Sequence, residues 1–504
     1  MPKYLVFGLK FGLESKFLRV IISNMTTEKI SFSSIKDNII KNFIQSENTP
    51  LVDAMLLYKN NPMTGFHIPG HNRGCGILPK FQELVGTDVL NIDTTDEFDN
   101  LGTLHPATGA IKEAQELASI AYGSKKTYFV TGGSTIANLA LAFALTNPFE
   151  EVLIGRNCHR SVLTGLIISG AKVNWVIPRK FDDWSIFGNI EADDIEEKLK
   201  KNRNIKLVWI TNPTYEGVAS DIEAISNVCK KYKAALIVDE AHGCLWNFNN
   251  SLPTTALKLG ADAVVHSLHK TGGAMTQASM LHLSKNSIFE EEKINHALRL
   301  LHTTSPSLLL LASLDAARAN LSSSSGKKML QNAIDNAKYF RQEAKNIENL
   351  SVLENVNHDI TKIFIKMNGL TGLQLEEILE KEYKIEVESA SDAGILLLSN
   401  IGGKREEFEY LIKCLKQISD KKYKKEQNKI KIMPLLDPEI VMNLREAYFS
   451  PKEYVDKYEA IGRISSEVVA LCPPGISILL PGEIIKKEHL AYLFSYDKIE
   501  VIKE

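Results

Sequence analysis

The chain has 504 residues, of which 44% are hydrophobic and 24% are charged, as in an ordinary globular protein and unlike a disordered one. Its 59 Lys and Arg residues nearly balance 61 Asp and Glu residues, which argues against a dedicated nucleic-acid or membrane-surface protein. The balanced charge instead favours a small-molecule partner. No apolar run is long enough for a transmembrane helix.

The N-terminal segment predicts no secretory signal. Residues 1–24 contain short apolar pieces broken by lysine and arginine, without an apolar core followed by a cleavage site, and Met25 is a possible alternative start. No Cys-x-x-Cys pair occurs, which is typical of reduced thiols in a cytoplasmic protein. The cysteines are Cys75, Cys158, Cys229, Cys244, Cys414 and Cys472.

From residue 127 to residue 283, short apolar runs alternate with amphipathic stretches of helix length. The runs predict strands at 127–130, 151–154, 173–177, 206–211, 235–238, 263–266 and 279–283. The stretches between them predict helices that include 134–144, 159–169, 194–201 and 222–232. This alternation indicates a mainly parallel α/β sheet with helices on both faces, whose ligands bind at the carboxyl ends of the strands.

The pattern changes after the predicted helix 308–319. Residues 322–326 have the composition of a linker, so a domain boundary is expected there. The rest predicts a smaller α+β domain with helices at 328–347, 372–381 and 404–418 and strands at 361–367, 385–388 and 394–398. The Lys-rich stretch 421–431 is interpreted as a solvated loop.

An acid and a lysine end two neighbouring predicted strands. Asp239 closes the strand 235–238 in the sequence Asp-Glu-Ala-His, and Lys270 follows the strand 263–266 in Ser-Leu-His-Lys-Thr. A lysine that forms a Schiff base and an aspartate that keeps a ring nitrogen protonated are what pyridoxal phosphate requires. A plain buried Asp–Lys pair is the structural alternative.

Two further segments reach the same sheet edge. The strand 127–130 runs through Gly132, Gly133, Ser134 and Thr135 into a helix whose N-terminus can bind a phosphate. His159 opens the helix after the strand 151–154. It could stack on one face of an aromatic cofactor, leaving the other to Ala241, or it could simply cap its helix.

Two competing motif interpretations are less favoured. The sequence 239–242 matches the second motif of some ATPases, but the chain has no G-x-x-x-x-G-K-[ST] phosphate loop. His67 with His71, and His266 with His269, have spacings seen in metal sites. Pro69-Gly70 argues against a helix between the first two, so no metal is expected.

Taken in order, these motifs resemble the ornithine/lysine/arginine decarboxylase family of fold type I pyridoxal-phosphate enzymes. The resemblance spans roughly Thr49 to Phe494. The matching segments are 49–51, 66–71, 131–135, 156–161, 211–217, 239–243, 267–271, 303–307, 462–465, 473–475 and 481–483. It implies an aspartate-aminotransferase-like large domain with a mainly parallel sheet, plus a smaller C-terminal α+β domain. The implied division is 1–65 for an N-terminal extension and arm, 66–325 for the cofactor domain and 326–504 for the small domain.

The resemblance also implies residue roles. Lys270 would carry the cofactor, Asp239 would pair with its ring nitrogen, and His159 and Ala241 would enclose the ring. Lys270 or His269 would return a proton to the substrate carbon. The implied cofactor-binding set also contains His242, Gly133, Ser134, Thr135, Ser267 and His269, with Thr304 and Ser305 reaching in from the second subunit of a homodimer.

The implied reaction is pyridoxal-phosphate-dependent decarboxylation of arginine, lysine or ornithine to the amine and CO₂. The alternatives are another fold type I activity, such as an aminotransferase or lyase, or a non-catalytic protein that keeps the fold. The chain departs from the family pattern at Asn72 and at 106–109, and it resembles the short form without a receiver-like N-terminal domain. Candidates for binding the cationic side chain are Asp96, Glu97, Asp99 and Glu483.

Overall fold

The structure, a computed structural model, describes residues 47–95, 101–354, 357–421, 437–471, 476–493 and 496–503. Several sequence-based expectations lie outside these residues. They concern Met25, Asp96, Glu97, Asp99, Cys472, the segment 473–475, Phe494 and nearly all of the Lys-rich stretch. Within the described chain no helix has the length and apolar character needed to cross a membrane.

The helices and strands alternate along most of the chain. Helices α1–α16 are Pro50–Asn60, Pro79–Val85, Thr87–Ile92, Gly109–Tyr122, Gly133–Leu145, Arg160–Ser169, Ala192–Lys201, Ile222–Tyr232, Ala256–Leu259, Leu268–Thr271, Glu291–Leu301, Leu308–Ser322, Ser324–Ala344, Gly372–Tyr383, Arg405–Asp420 and Leu444–Phe449. Strands β1–β17 are Lys126–Val130, Glu151–Gly155, Lys172–Val176, Lys180–Phe181, Ile186–Phe187, Leu207–Thr211, Ala235–Asp239, Ala263–His266, Ser279–Leu283, Leu350–Val352, Lys362–Met367, Ser389–Ser391, Gly394–Leu398, Lys452–Asp456, Val469–Leu471, Ile476–Leu479 and Lys498–Ile502. A 3₁₀ helix covers Lys487–Ala491.

The main sheet has seven strands in the order β1-β9-β8-β7-β6-β2-β3. All of them run in one direction except β9, which is antiparallel to both of its neighbours. This confirms the predicted mainly parallel α/β sheet, and each predicted strand of this region lies within one residue of the observed one.

Helices cover both faces of the main sheet. Along a strand, successive side chains point to opposite faces. On β6, Trp209 packs in one core cluster with Leu141 of α5 and Leu163 of α6, whereas Val208 packs in another with Ile225 of α8. Burial on both faces explains why these strands are almost entirely apolar.

The C-terminal part contains a four-stranded antiparallel sheet, β10-β11-β13-β12, packed against α13, α14 and α15. The strand predicted at 385–388 is wrong: the observed strand is Ser389–Ser391, whose position is set by pairing with β13. The predicted linker 322–326 joins two helices directly, because Ser323 caps α13 by accepting a hydrogen bond from the Gly326 N–H at 2.9 Å. The proposed division into domains stays a prediction.

The end of the chain is anchored on the main sheet by Arg156, directly after β2. Its guanidinium is 1% exposed and donates to the carbonyl oxygens of Ser477 at 2.6 Å and Ile478 at 2.8 Å. The buried carboxylate of Glu483 lies 3.5 Å away. These contacts hold β16 against the sheet edge where the site was predicted.

Replacing Arg156 with methionine should free this segment, because two carbonyls and a buried carboxylate lose their cationic partner. We expect a loss of about 3 kcal/mol in local stability, measured as faster amide hydrogen exchange in β16. Arg179→Met is the matched control: Arg179 pairs with Glu191 and Asp194 but is half exposed, so its removal should cost less than about 1 kcal/mol. Unchanged exchange in Arg156→Met would show that other contacts hold β16.

Candidate active site

A cavity of about 520 Å³ opens at the carboxyl ends of the main-sheet strands. It is lined by residues that follow β1, β2, β6, β7 and β8. Phe187, Glu388 and Ile476 complete the wall from outside the main sheet. The predicted residues that line it are Gly133, Ser134, Thr135, His159, Asp239, Ala241, His242, Ser267, His269 and Lys270.

Asp239 is the buried anion of the cavity. Its carboxylate is 3% exposed and accepts hydrogen bonds from Asn138 Nδ2 at 3.0 Å and from the Ala241 N–H at 3.2 Å. Hydrogen bonds to a carboxylate stabilise its charged form. The arrangement is suited to holding a protonated ring nitrogen.

His159 belongs to the same hydrogen-bonded chain. Its Nδ1 lies 2.8 Å from Ser161 Oγ and accepts from the Ser161 N–H at 3.2 Å. Ser161 Oγ in turn accepts from Asn138 Nδ2 at 2.9 Å. Burial lowers the pKa of His159, although Asp239 opposes this shift. His159 therefore both caps α6 and lines the cavity.

Hydroxyl groups and a helix N-terminus form the phosphate side of the cavity. Gly133, the first residue of α5, has φ +73°, a value that favours glycine. Ser134 Oγ lies 2.6 Å from Ser267 Oγ and 3.2 Å from Ser279 Oγ. Gly133, Ser134 and Thr135 of the first turn of α5 line the same cavity, and a helix N-terminus is suited to binding an anion.

His269 is oriented by the backbone. Its Nδ1 donates to the carbonyl of Ala278 at 3.1 Å, which leaves Nε2 as the nitrogen able to exchange a proton. Burial lowers the pKa of this imidazole.

Lys270 contacts His242, and both line the cavity. Its Nζ lies 2.8 Å from Nε2 of His242, and Nδ1 of the same ring lies 2.9 Å from Nζ of Lys362. Burial lowers the pKa of Lys270, opposed by Asp239. The lysine is therefore more easily converted to its neutral, nucleophilic form than a solvated one.

Some predicted residues lie elsewhere. Thr304 and Ser305 are exposed and do not line this cavity within one chain. Glu483 as a substrate-binding acid is wrong: it is buried between Arg156 and His489 and accepts from the Leu480 N–H at 3.1 Å. Across the described residues, no group of three or more His, Cys, Asp or Glu side chains forms a candidate metal site.

Sequence reasoning missed Asn138, Tyr215, Lys362 and Glu388. Asn138 could have been found, because it lies four residues after Ser134 and therefore on the same helix face. Tyr215 donates to Glu388 Oε1 at 2.7 Å at the cavity mouth. Lys362 begins β11 and Glu388 directly precedes β12, so no spacing within the cofactor region indicates them.

The residues present fit pyridoxal phosphate. An amine, a buried carboxylate and a hydroxyl-lined helix N-terminus lie around one cavity. Asn157 Oδ1 and Thr211 Oγ1 on its wall are buried without a hydrogen-bond partner, as expected of groups that await a polar ligand.

Comparisons with known proteins agree with this geometry. The chain matches the family model of the Orn/Lys/Arg decarboxylase major domain over residues 49–367 and that of the C-terminal domain over residues 427–501. It is 35% identical to the arginine decarboxylase of Bacillus anthracis over 458 residues, covering 88% of this chain and 92% of that protein.

Solved structures share the fold. The constitutive lysine decarboxylase of E. coli superposes with a TM-score of 0.78 at 21% identity, covering 93% of this chain and 83% of that chain. An alanine–glyoxylate aminotransferase from Nostoc superposes with a TM-score of 0.52 at 20% identity, covering 64% of this chain and 89% of the other. At these identities the likeness establishes the fold, which is the predicted fold type I architecture.

Asn138→Ala should weaken cofactor retention, because Asp239 loses the amide that stabilises its charge. A hydrogen bond to a charged group contributes about 1.5 kcal/mol or more, so we expect roughly tenfold faster loss of pyridoxal phosphate on dilution, followed by absorbance. Asn227→Ala removes an exposed asparagine from α8 and should have no effect. Equal retention in both variants would contradict a supporting role for Asn138.

Proposed function

Since the chain belongs to the Orn/Lys/Arg decarboxylase family, we propose that it is a pyridoxal-phosphate-dependent arginine decarboxylase that releases the α-carboxyl group as CO₂. The observation that carries the proposal is the placement of Lys270, Asp239 and the Ser134–Ser267 hydroxyl pair around one cavity. This is the set of groups that a Schiff-base cofactor with a pyridine nitrogen and a phosphate requires.

The bound cofactor would supply an electron sink for the carbon that loses CO₂. The chain's own groups do the rest. Asp239, which accepts from Asn138, would hold a proton on the ring nitrogen. Ser134, Ser267 and the first turn of α5 would bind the phosphate and so fix the ring in the cavity. His159 and Ala241 lie on the wall and limit ring movement.

Proton return to the substrate carbon falls to Lys270 or His269. Lys270 has the advantage of its position next to His242, which can relay a proton through its ring. His269 has its Nδ1 fixed on a carbonyl, so only Nε2 can donate. Burial lowers the pKa of both groups, which makes proton release near neutral pH easier.

The cationic end of the substrate meets Glu388 in this proposal. Glu388 lines the cavity, and its carboxylate is oriented by the hydroxyl of Tyr215 at 2.7 Å. A planar guanidinium pairs well with a carboxylate held in this way.

The choice of arginine is supported by the relatives. Proteins named arginine decarboxylase match this chain at 32–35% identity over 86–90% of its length. The constitutive lysine decarboxylase of E. coli matches at 27% over 60%. Lysine and ornithine are the alternative substrates.

We also propose a homodimer in the cytoplasm. Thr304 and Ser305 are exposed and free of their own cavity, as residues that complete a second subunit's site must be. Phe66 is 98% exposed, which is costly for an aromatic side chain unless a partner covers it. Cys75, Cys158, Cys229, Cys244 and Cys414 are free thiols, as the cytoplasm favours.

Purified protein with pyridoxal phosphate should release labelled CO₂ from carboxyl-labelled arginine, and less from lysine or ornithine. Lys270→Ala should lose this activity by at least about a thousandfold, because covalent capture of the cofactor is lost. Lys285→Ala, which removes an exposed lysine, is the control. A keto acid in place of CO₂ would indicate an aminotransferase. Release of CO₂ from lysine alone would identify lysine, and not arginine, as the substrate.

Glu388→Gln should raise KM for arginine about tenfold with a smaller change in kcat, because the carboxylate contacts the side chain and not the reacting carbon. Glu386→Gln alters an exposed acid two residues away and should leave both constants unchanged. An unchanged KM in Glu388→Gln would assign the substrate cation to another acid.

A further inference from the structure

His302 is a buried imidazole that lies between the turn 131–135 and a second histidine. It directly follows α11, is 7% exposed, and its Nε2 accepts from the Thr131 N–H at 3.0 Å. Its Nδ1 lies 2.8 Å from Nε2 of His105. Thr131 is the first residue of the turn, and the other four residues of the turn line the cavity. The ring therefore contacts the backbone that leads into the phosphate side of the cavity.

The amide of Thr131 needs an acceptor from a side chain. β1 is an edge strand of the main sheet, and buried amides at its end donate to side chains. Gln115 Oε1 accepts from the Phe129 N–H at 2.9 Å, and His302 accepts from the Thr131 N–H. A buried N–H without an acceptor is costly, and Phe129 and Thr131 are both buried. His302 thus stabilises the backbone at the point where β1 turns towards the cavity.

The contacts of His302 determine where its proton lies. A backbone N–H can only donate, so Nε2 of His302 carries a lone pair, to which the Thr131 hydroxyl at 3.2 Å can also donate. The ring hydrogen is therefore on Nδ1, and Nε2 of His105 accepts it. A second proton on either ring would set two N–H groups against each other, so both imidazoles are neutral. Burial, with His105 adding to it, lowers the pKa of His302 to about 4, in agreement with this assignment.

The backbone of His302 is fixed by the end of α11. The His302 N–H donates to the carbonyl of Leu298 at 2.8 Å. Leu298 packs in one core cluster with Ala140 and Leu141 of α5. Because α5 begins in the turn 131–135, the packing of α11 on α5 places the imidazole next to that turn.

His105 fixes the orientation of the His302 ring. It lies in a loop closed by Thr108, whose Oγ1 accepts from the Thr103 N–H at 2.8 Å and whose N–H donates to the Thr103 carbonyl at 2.9 Å. The two imidazoles are tilted by 52°, with ring centroids 5.1 Å apart, and they meet through nitrogen atoms. A half-turn of the His302 ring would put carbon atoms in place of both nitrogens and lose both hydrogen bonds.

We propose that His302 is a positioning residue for the cofactor phosphate: as a neutral imidazole that donates to His105, it accepts from the Thr131 N–H and so fixes the turn 131–135 in the conformation that binds the phosphate. The inference rests on the proposed function and deepens it. His302 is not among the described residues that line the cavity, so it acts on the cofactor through the turn. Lys270 and Asp239, which would engage the aldehyde and the ring nitrogen, do not depend on it.

The test compares two ligands that differ only in the phosphate. Pyridoxal phosphate and pyridoxal are each titrated into the full-length protein freed of cofactor, and Schiff-base formation on Lys270 is followed by absorbance. In His302→Phe the Kd for pyridoxal phosphate should rise about tenfold over wild type, because a buried amide of the turn loses its acceptor. The Kd for pyridoxal should change less than about twofold, since pyridoxal has no group at the turn.

Matched variants separate this role from a general effect on folding. In His302→Gln the side-chain oxygen can take the place of Nε2 and accept from the Thr131 N–H, so the Kd for pyridoxal phosphate should stay within about threefold of wild type. His302→Asn reaches only to the place of Nδ1 and should show the full rise; it replaces His302→Phe should that variant fail to fold. His296→Phe changes an exposed histidine of α11 and should leave both constants unchanged.

Amide hydrogen exchange in the protein without cofactor gives a second measurement, which needs no Schiff base. Peptides that contain the turn 131–135 should exchange about tenfold faster in His302→Phe than in wild type, and at the wild-type rate in His302→Gln. Peptides from α11 should be unchanged. Equally faster exchange throughout α5 and α11 would make His302 a residue of general stability and overturn the proposal.

Two binding results would also overturn it. One is an equal loss of affinity for pyridoxal phosphate and pyridoxal in His302→Phe, and the other is an unchanged affinity for pyridoxal phosphate in that variant. A wild-type protein that binds pyridoxal phosphate but releases no CO₂ from arginine would count against the proposed function alone.

Discussion

The cavity depends on strand direction. Since β1, β2, β6, β7 and β8 run the same way, their carboxyl ends meet at one edge, and the residues that follow them converge there. The reversed strand β9 lies between β1 and β8, so it begins at that edge. Its first residue, Ser279, therefore faces Ser134 across the β1–β9 pair. The hydroxyl cluster at the helix N-terminus is a consequence of one antiparallel strand in a parallel sheet.

Two hydrogen-bonded chains divide the cavity. One links His159, Ser161, Asn138 and Asp239 and stabilises a negative charge. The other links Lys270, His242 and Lys362. A neutral imidazole has one N–H, and the amine that accepts from it must be uncharged. Each buried polar group is supported by the next, so a carboxylate at Asp239 and an amine at Lys270 are both maintained in one cavity.

The main sheet could be predicted from sequence because its strands are buried on both faces and its helices have clear periodicity. The same pattern placed Asp239, Lys270 and Ser134 at one edge. The short strand at 389–391 could not be placed, since Ala390 between two serines has little strand propensity and pairing with β13 decides it. Glu388 lines the cavity and Lys362 contacts His242 on its wall, although both lie far away in sequence, near the four-stranded sheet. Contacts between segments that lie far apart in the chain leave no local pattern in the sequence.

The contacts of Arg156 with β16 also affect the order in which the protein can fold during synthesis. Its partner carbonyls, on Ser477 and Ile478, lie 321 and 322 residues later in the chain. At ordinary rates of synthesis, on the order of ten residues per second, the cofactor sheet leaves the ribosome tens of seconds before these residues exist. During that interval the guanidinium must stay hydrated, so this edge of the sheet closes last. An incompletely packed edge is a surface through which a nascent chain can aggregate, and in this protein it is the edge that becomes the cavity.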